Sequence, residues 1–289
     1  MSVDRPRSRF QDPEGPVWLD GNLVEPAAAC IQVTDPAVQF GLGVFETVAV
    51  RQGRPLERAA HLDRLFACAA RLDVPLPSRD ELESAVGGAV ARIPSGCGWL
   101  RLIASRSGRC AVFAGSMDPA EEGRSVSAVL LPWRKSPGDA LAGLKSLNYA
   151  ANVIGLEEAQ RRGADEGIWL NTRGHVTEGC SSNLFVVKGR GLFTPAVRDG
   201  ILPGIVRGIA IAAARYLGLS IHEGKLRLPR LLRADEAFLT SSTRGVRPLV
   251  QFEGKKVGRG RPGPITLAIS EEVRKRRGLA VAAAVIPGT

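Results

Sequence analysis

The chain has 289 residues, 44% hydrophobic and 24% charged, with 39 Lys and Arg against 29 Asp and Glu for a formal net charge of +10. That composition is one of a soluble globular protein and excludes a mainly disordered chain; the 33 Gly and 19 Pro follow no fixed period, which excludes a collagen-like fibre. At about 100–200 residues per domain, the length predicts two domains.

The five cysteines, Cys30, Cys68, Cys97, Cys110 and Cys180, are scattered without a C-x-x-C, and the three histidines, His61, His175 and His222, complete no zinc spacing. No metal is expected. A disulfide framework is unusual at this size, so a reducing, cytoplasmic compartment is expected. Residues 1–15 lack an apolar signal core, and no run reaches about 18 apolar residues, so neither a leader nor a membrane span is expected. The positive charge raises a nucleic-acid reading. Its densest stretches, 255–261 and 274–277, lack the interleaved aromatics of a stacking platform and read as solvated surface. Steering of an anionic small molecule is the functional alternative.

In chain order, residues 17–24 (VWLDGNLV) predict a hairpin around Asp20 and Gly21. A strand is expected over 41–50. Leu62, Leu65, Phe66, Ala69 and Leu72 sit at helical spacing and predict a helix over 56–72, and Ser78 caps a second over 79–92. His61 and Arg64, three residues apart, read as a solvated polar face. Strands follow at 99–105 and 124–131. The turn-rich stretch 115–123 marks the domain boundary, giving domains 1–120 and 121–289. Beyond it come a Pro/Gly connection (132–143), a helix over 149–162 stopped by Gly163, and strands at 167–170 and 183–187 flanking the turn 172–174. A helix over 204–217, a short helix at 231–234, a strand at 236–240, a helix over 266–276 and a terminal strand over 279–286 complete the chain. This irregular mixture predicts an α/β (α+β) fold in two domains.

Singly, the polar candidates are ordinary: Lys145 reads as a surface lysine, Glu178 as a loop acid, and Ser241-Ser242-Thr243 as a helix cap. Together they say more. The amides of Ile205 and Val206 open a helix, which is a ready anion site. Ser241 and Ser242 bring hydroxyls to the end of an apolar strand, and the Arg64 guanidinium suits phosphate. Neither a P-loop nor a G-x-G-x-x-G fingerprint accompanies this phosphate-binding equipment.

Six segments in order carry a resemblance: DPAVQFGLGVFETV (35–48), HLDRL (61–65), LKSLNYAANV (144–153), DEGIWLNTRGHVTEGCSSNLFVV (165–187), ILPGIVR (201–207) and FLTSSTRGVRP (238–248). They resemble the fold-type IV pyridoxal 5'-phosphate (PLP) enzymes, the class IV aminotransferase family. The resemblance implies a small N-terminal α/β domain, a larger C-terminal domain with a barrel-like sheet, PLP as cofactor, a small anionic substrate and a homodimer. It implies that Lys145 holds PLP as a Schiff base and shuttles protons, which requires a neutral amine. Glu178 is implied as the partner of the pyridine nitrogen. Arg64, the amides of Ile205 and Val206, Ser241 and Ser242 are implied as the phosphate cup, Tyr149 as a contact to the cofactor's phenolic oxygen, and Asn183 as a support for the Glu178 loop. The chain departs from the family at Leu42, where many members carry Asp, at Cys180, where Ser or Thr is common, and at Val206, where many carry Thr.

Within the family, the D-amino acid enzymes use an Arg-x-His pair, and Arg109-Cys110-Ala111 lacks the histidine. The branched-chain enzymes carry an arginine soon after Phe-Glu, and Phe45-Glu46-Thr47-Val48-Ala49 lacks it. The QFG-x-G opening, Lys145-x-Leu147-Asn148 and Ser-Arg-Ser-Gly-Arg (105–109) instead resemble the 4-amino-4-deoxychorismate lyases. That implies formation of 4-aminobenzoate and pyruvate for folate biosynthesis, with Lys145 as the base and Arg109 on a substrate carboxylate. The alternatives are a branched-chain or D-amino acid aminotransferase and, from another class, a nucleic-acid-binding protein on the same scaffold.

Overall fold

The Asp-Gly pair turns the chain as expected. In the computed structural model, which describes residues 13–279, β1 (Val17–Leu19) and β2 (Asn22–Val24) form a hairpin. Asp20 and Gly21 both have positive φ, 48° and 89°, as the turn that matches strand twist requires. A short helix absent from the sequence reading, α1 (Pro36–Phe40), follows: Asp35 accepts the Ala37 N–H and Pro36 supplies a preset φ. After β3 (Gly43–Arg51) and β4 (Arg54–Pro55) come α2 (Arg58–Arg71) and α3 (Arg79–Val90). Ser78 and Glu81 close a reciprocal capping box on α3. β5 (Gly98–Ser105) pairs with β6 (Cys110–Ser116), a strand missing from the sequence reading although its burial alternates with period two. Among the described residues this sheet runs β2-β1-β6-β5-β3-β4. Leu62 and Leu65 of α2, Leu82 of α3 and Val44, Val48, Leu100 and Leu102 of the strands are buried.

The chain divides into two compact units, and the first, ending at Pro119, takes back Lys145–Asn148. A single cut at 120/121 therefore does not describe the domains. Ser146 bridges Val44 on β3; the Phe45 N–H donates to the Lys145 carbonyl at 3.0 Å and the Leu147 N–H to the Gly43 carbonyl at 2.9 Å. A Cβ on Gly43 would lie 2.5 Å from Leu147 Cδ1 and collide with the Ala104 carbonyl, so a glycine is what lets this segment lie against β3.

The second unit contains β7 (Val126–Lys135), α4 (Ala150–Arg161), β8 (Glu166–Asn171), β9 (His175–Gly179), β10 (Asn183–Lys188), β11 (Gly191–Pro195) and α5 (Ile205–Tyr216). It continues with β12 (Ser220–Gly224), β13 (Leu226–Arg227), α6 (Leu228–Leu232), β14 (Glu236–Ser241), β15 (Gly245–Phe252), β16 (Lys255–Lys256) and α7 (Pro264–Arg276). Its sheet closes on itself through β10-β14-β15-β7-β8-β9-β10, the expected barrel-like element. Alternation divides the side chains: Leu184, Val186, Ala237 and Leu239 share one core with Val126, Ile168 and Leu249, while Phe185, Val187 and Phe238 pack with Val206, Ala210 and Ala213 of α5 and with Ile269 and Val273 of α7.

Several elements differ from the sequence reading. The strand that follows β8 across the turn 172–174 is β9, not 183–187, and β9 carries Glu178 within a strand rather than a loop. β7 continues through Pro132 to Lys135, because a register shift between Leu130 and Arg134 absorbs the proline. Ser241-Ser242-Thr243 caps no helix but turns β14 into β15. The basic run 274–277 is not simply solvated. Arg274 pairs with Glu122, Lys275 with Glu271 and Arg276 with Glu272, and Arg277 is buried. The expected strand over 279–286 lies, apart from Leu279, outside the described residues.

Candidate active site

In the first unit, pairing with β3 brings the Lys145 amino group to 4.4 Å from the centroid of the Phe45 ring. The Arg101 guanidinium lies against the same ring at 4.2 Å. The sequence reading missed Arg101. Its signal is a cation within the otherwise apolar run 98–104 of β5, at a half-buried position between buried Leu100 and Leu102.

His61 and Arg64, expected on a solvated face, gather around Glu46, the histidine buried and the arginine partly buried. The fully buried carboxylate accepts from Arg64 Nε at 2.6 Å and Nη2 at 2.8 Å, and lies 2.7 Å from His61 Nδ1. Burial alone would raise the Glu46 carboxyl; the hydrogen bonds and charges of Arg64 and His61 outweigh it and lower the group to about 2. His61 Nε2 is buried without a hydrogen-bond partner among the described residues.

Arg109, expected on a substrate carboxylate, is tied to an acid of this chain instead: its Nε lies 2.9 Å from Asp20 Oδ2 at the β1–β2 turn, and the side chain is half-exposed.

In the second unit, Glu178 and Asn183 stand opposite each other in the β9–β10 pairing. Glu178 Oε2 accepts the Leu202 N–H at 2.8 Å, Asn183 Nδ2 donates to the Leu202 carbonyl at 2.9 Å, and Lys135 Nζ lies 3.2 Å from Glu178 Oε1. Asn183 thus supports the segment leading into α5. The N-cap of α5 is Gly204, which has no side chain to occupy the first-turn amides of Ile205 and Val206. A Cβ there would run into Asn183 Oδ1. The Val206 side chain is buried among the residues packed on α5, which leaves only its backbone amide at the helix start.

Thr240 of β14 stands opposite Asn183, and its Oγ1 is buried without a hydrogen-bond partner among the described residues. Ser241 and Ser242 follow it into the turn, where the Ser242 carbonyl accepts from Arg277 Nη2 at 2.8 Å. The barrel therefore gathers Glu178, the α5 amides and the two serines at the ends of neighbouring strands.

Tyr149 stands at the start of α4. Its hydroxyl donates to the Cys180 carbonyl at 2.8 Å, and burial, reinforced by the Glu178 and Glu166 carboxylates, pushes the phenol well above its ordinary range. Cys180 is buried, with Sγ 3.5 Å from the Gly167 carbonyl, and serves packing. Sequence reasoning also missed Glu166. This buried carboxylate accepts from the Cys180 N–H and from the Ser181 and Ser182 hydroxyls at 3.0–3.1 Å, shaping the turn that follows Glu178. Its acidic character inside a wholly buried strand is the one signal that could have found it.

Residues 43–252 match the family model described as amino-transferase class IV. The chain is 30% identical over 286 residues to a branched-chain-amino-acid aminotransferase of Pseudomonas aeruginosa, covering 88% of this chain and 90% of the relative. It is 31% identical over 272 residues to a D-alanine aminotransferase of Listeria monocytogenes, covering 88% and 93%. Among solved structures, a hypothetical aminotransferase from Mycobacterium tuberculosis, with α-ketoglutarate and PMP bound, superposes with a TM-score of 0.81 at 29% identity, covering 91% of this chain and 99% of that one. The chain belongs to the class IV amino-transferase family, with its fold-type IV architecture.

Proposed function

We propose that this protein is a PLP-dependent aminotransferase that moves the amino group of an aliphatic α-amino acid to a 2-oxo acid. The observation that carries the reading is that two cationic groups lie over the Phe45 ring, the Lys145 amine at 4.4 Å and the Arg101 guanidinium at 4.2 Å from its centroid; a guanidinium is a carboxylate anchor of the kind an amino acid requires. The curated relatives favour transamination over the lyase reaction suggested by sequence details at 105–109 and 145–148. Arg109, the residue assigned to the lyase substrate, is engaged with Asp20.

The residues present fit PLP. Glu178 offers a buried carboxylate to a ring N–H, the uncapped α5 amides with Ser241 and Ser242 offer a phosphate cup, and the orphaned Thr240 hydroxyl lies in the same row of the sheet. When bound, PLP supplies the electron sink that makes an α-proton removable. Lys145 holds the cofactor and moves that proton at its Nζ. Arg64, its fork set by Glu46, adds a cation for the phosphate. Arg101 orients the substrate carboxylate.

A branched-chain donor is taken ahead of a D-amino acid because branched-chain aminotransferases stand among both the curated relatives and the solved structures similar to this chain. The decisive assay is a panel of amino donors and 2-oxo acids beside 4-amino-4-deoxychorismate alone. Transfer from leucine, isoleucine or valine is expected. Formation of 4-aminobenzoate without an oxo acid would restore the lyase. Borohydride reduction of the yellow holoenzyme should fix the cofactor on the Lys145 peptide, and equal labelling of Lys145→Ala would refute its role.

A homodimer is also proposed, on the apolar side chains that the first unit leaves exposed at Leu23, Val33, Val38 and Phe40. A monomeric mass by light scattering overturns it. All five cysteines are free, which supports a reducing compartment such as the cytoplasm; among the described residues no helix is long and apolar enough to cross a membrane.

A further inference from the structure

β7 ends in two consecutive cations that go separate ways. Arg134 donates to the Asn171 carbonyl at 3.3 Å. Lys135 is directed to Glu178, with Nζ 3.2 Å from Oε1 and 5.0 Å from the centroid of the Trp169 ring. The register shift between Leu130 and Arg134 delivers this strand end, as bulges do beside functional sites.

Each Glu178 oxygen accordingly has a donor from the chain itself: Lys135 on Oε1 and the Leu202 N–H on Oε2. Tyr149 lies close enough to feel the Glu178 charge and supplies no positive charge of its own. A largely buried carboxylate without a counter-charge takes up a proton or destabilises the fold. Yet a partner for a protonated ring nitrogen must be anionic, and the chain must fold before its cofactor arrives.

We propose that Lys135 is the resident counter-ion of Glu178. It holds the carboxylate in place in the cofactor-free protein, then shares it with the ring N–H of PLP on loading. The inference rests on the reading of Glu178 as the ring-nitrogen partner. No proton is transferred between Lys135 and Glu178; one carboxylate passes from a single cationic donor to two. A lysine suits this task because its ammonium is a point charge on a flexible stem. Lys135 is a positioning residue and does not act on the substrate.

The test is a double-mutant cycle read by thermal unfolding, with and without saturating PLP, on the parent, Lys135→Met, Glu178→Gln and the double variant. Without PLP, Lys135→Met is expected to lower Tm by about 4 °C or more, and adding Glu178→Gln to recover most of that loss. With PLP, the Lys135→Met deficit should fall to less than half. Lys135→Arg, which keeps the charge, should stay within about 1 °C of the parent without PLP. A double variant that unfolds as early as Lys135→Met overturns the proposal, as does a Lys135–Glu178 coupling of equal size with and without PLP. Glu178→Gln that binds PLP as tightly as the parent overturns the ring-partner reading itself. Weakened PLP binding by Glu178→Gln together with an unchanged coupling overturns only the sharing by Lys135.

Discussion

Glu178 and Asn183 form the register pair that joins β9 to β10 and closes the barrel, and their side chains hold opposite ends of one residue. Glu178 takes the Leu202 N–H and Asn183 gives to the Leu202 carbonyl. The seam of the sheet, the carboxylate and the entry to α5 are thereby mechanically linked. Asn183→Ala should cost about 1–2 kcal/mol in urea unfolding by removing one buried hydrogen bond. It should also weaken PLP binding roughly tenfold, the equivalent of about 1.4 kcal/mol. An unchanged PLP titration would show that the Leu202 anchor does not serve the phosphate cup.

The Glu46 cluster predicts a pH window. Folding lowers this carboxyl from 4.5 to about 2 because Arg64 and His61 outweigh burial. A depressed carboxylate contributes fully above its unfolded value, and the contribution is lost as pH falls through the folded one. The parent should therefore lose roughly 3 kcal/mol from this group as pH falls from about 4.5 to about 2. Glu46→Gln should be less stable near neutrality by about 3–5 kcal/mol, since Arg64 loses its buried partner, and should show a shallower acid slope. Denaturant unfolding across pH decides; parallel slopes in the two proteins would contradict the account.

Arg101→Met should raise KM for both the amino donor and the oxo acid by roughly 10–100-fold, the loss of a charge-assisted carboxylate contact. PLP binding should not change. A fall in kcat at constant KM would remove Arg101 from the carboxylate site.

Gly43→Ala places a methyl group against Leu147 and the Ala104 carbonyl. The expected cost is about 1–3 kcal/mol, with slower attachment of PLP to Lys145 as its segment shifts on β3. Gly87→Ala in α3, where a Cβ meets open space, is the control and should be neutral or stabilising by about 1 kcal/mol. Equal behaviour of the two variants would count against the close-approach argument.

Periodicity made α2, α3, α5 and α7 legible, because each buries one face and leaves the other polar. It did not reveal β9 or β15. β9 reads HVTEG, and its Thr177 and Glu178 are buried by satisfied hydrogen bonds rather than by apolar contact. β15 carries Arg247 and Pro248 at buried positions, so local composition argues against a strand that barrel closure imposes. In the candidate site, motif order pointed to Lys145, Glu178, the α5 amides and the serine pair. The engagements of Arg109, Tyr149 and Arg64 were invisible, because each partner lies far along the chain: Asp20, Cys180 and Glu46.

The return of Lys145–Asn148 to the first unit bears on dissection of the chain. A fragment ending at Pro119 would leave Gly43–Phe45 with unanswered backbone groups along one margin of its sheet, an invitation to self-association. The complementary fragment would carry the lysine on a stretch stripped of its pairing strand. Split-protein complementation should therefore fail at 119/120, where the break separates residues 145–148 from the strand with which they pair.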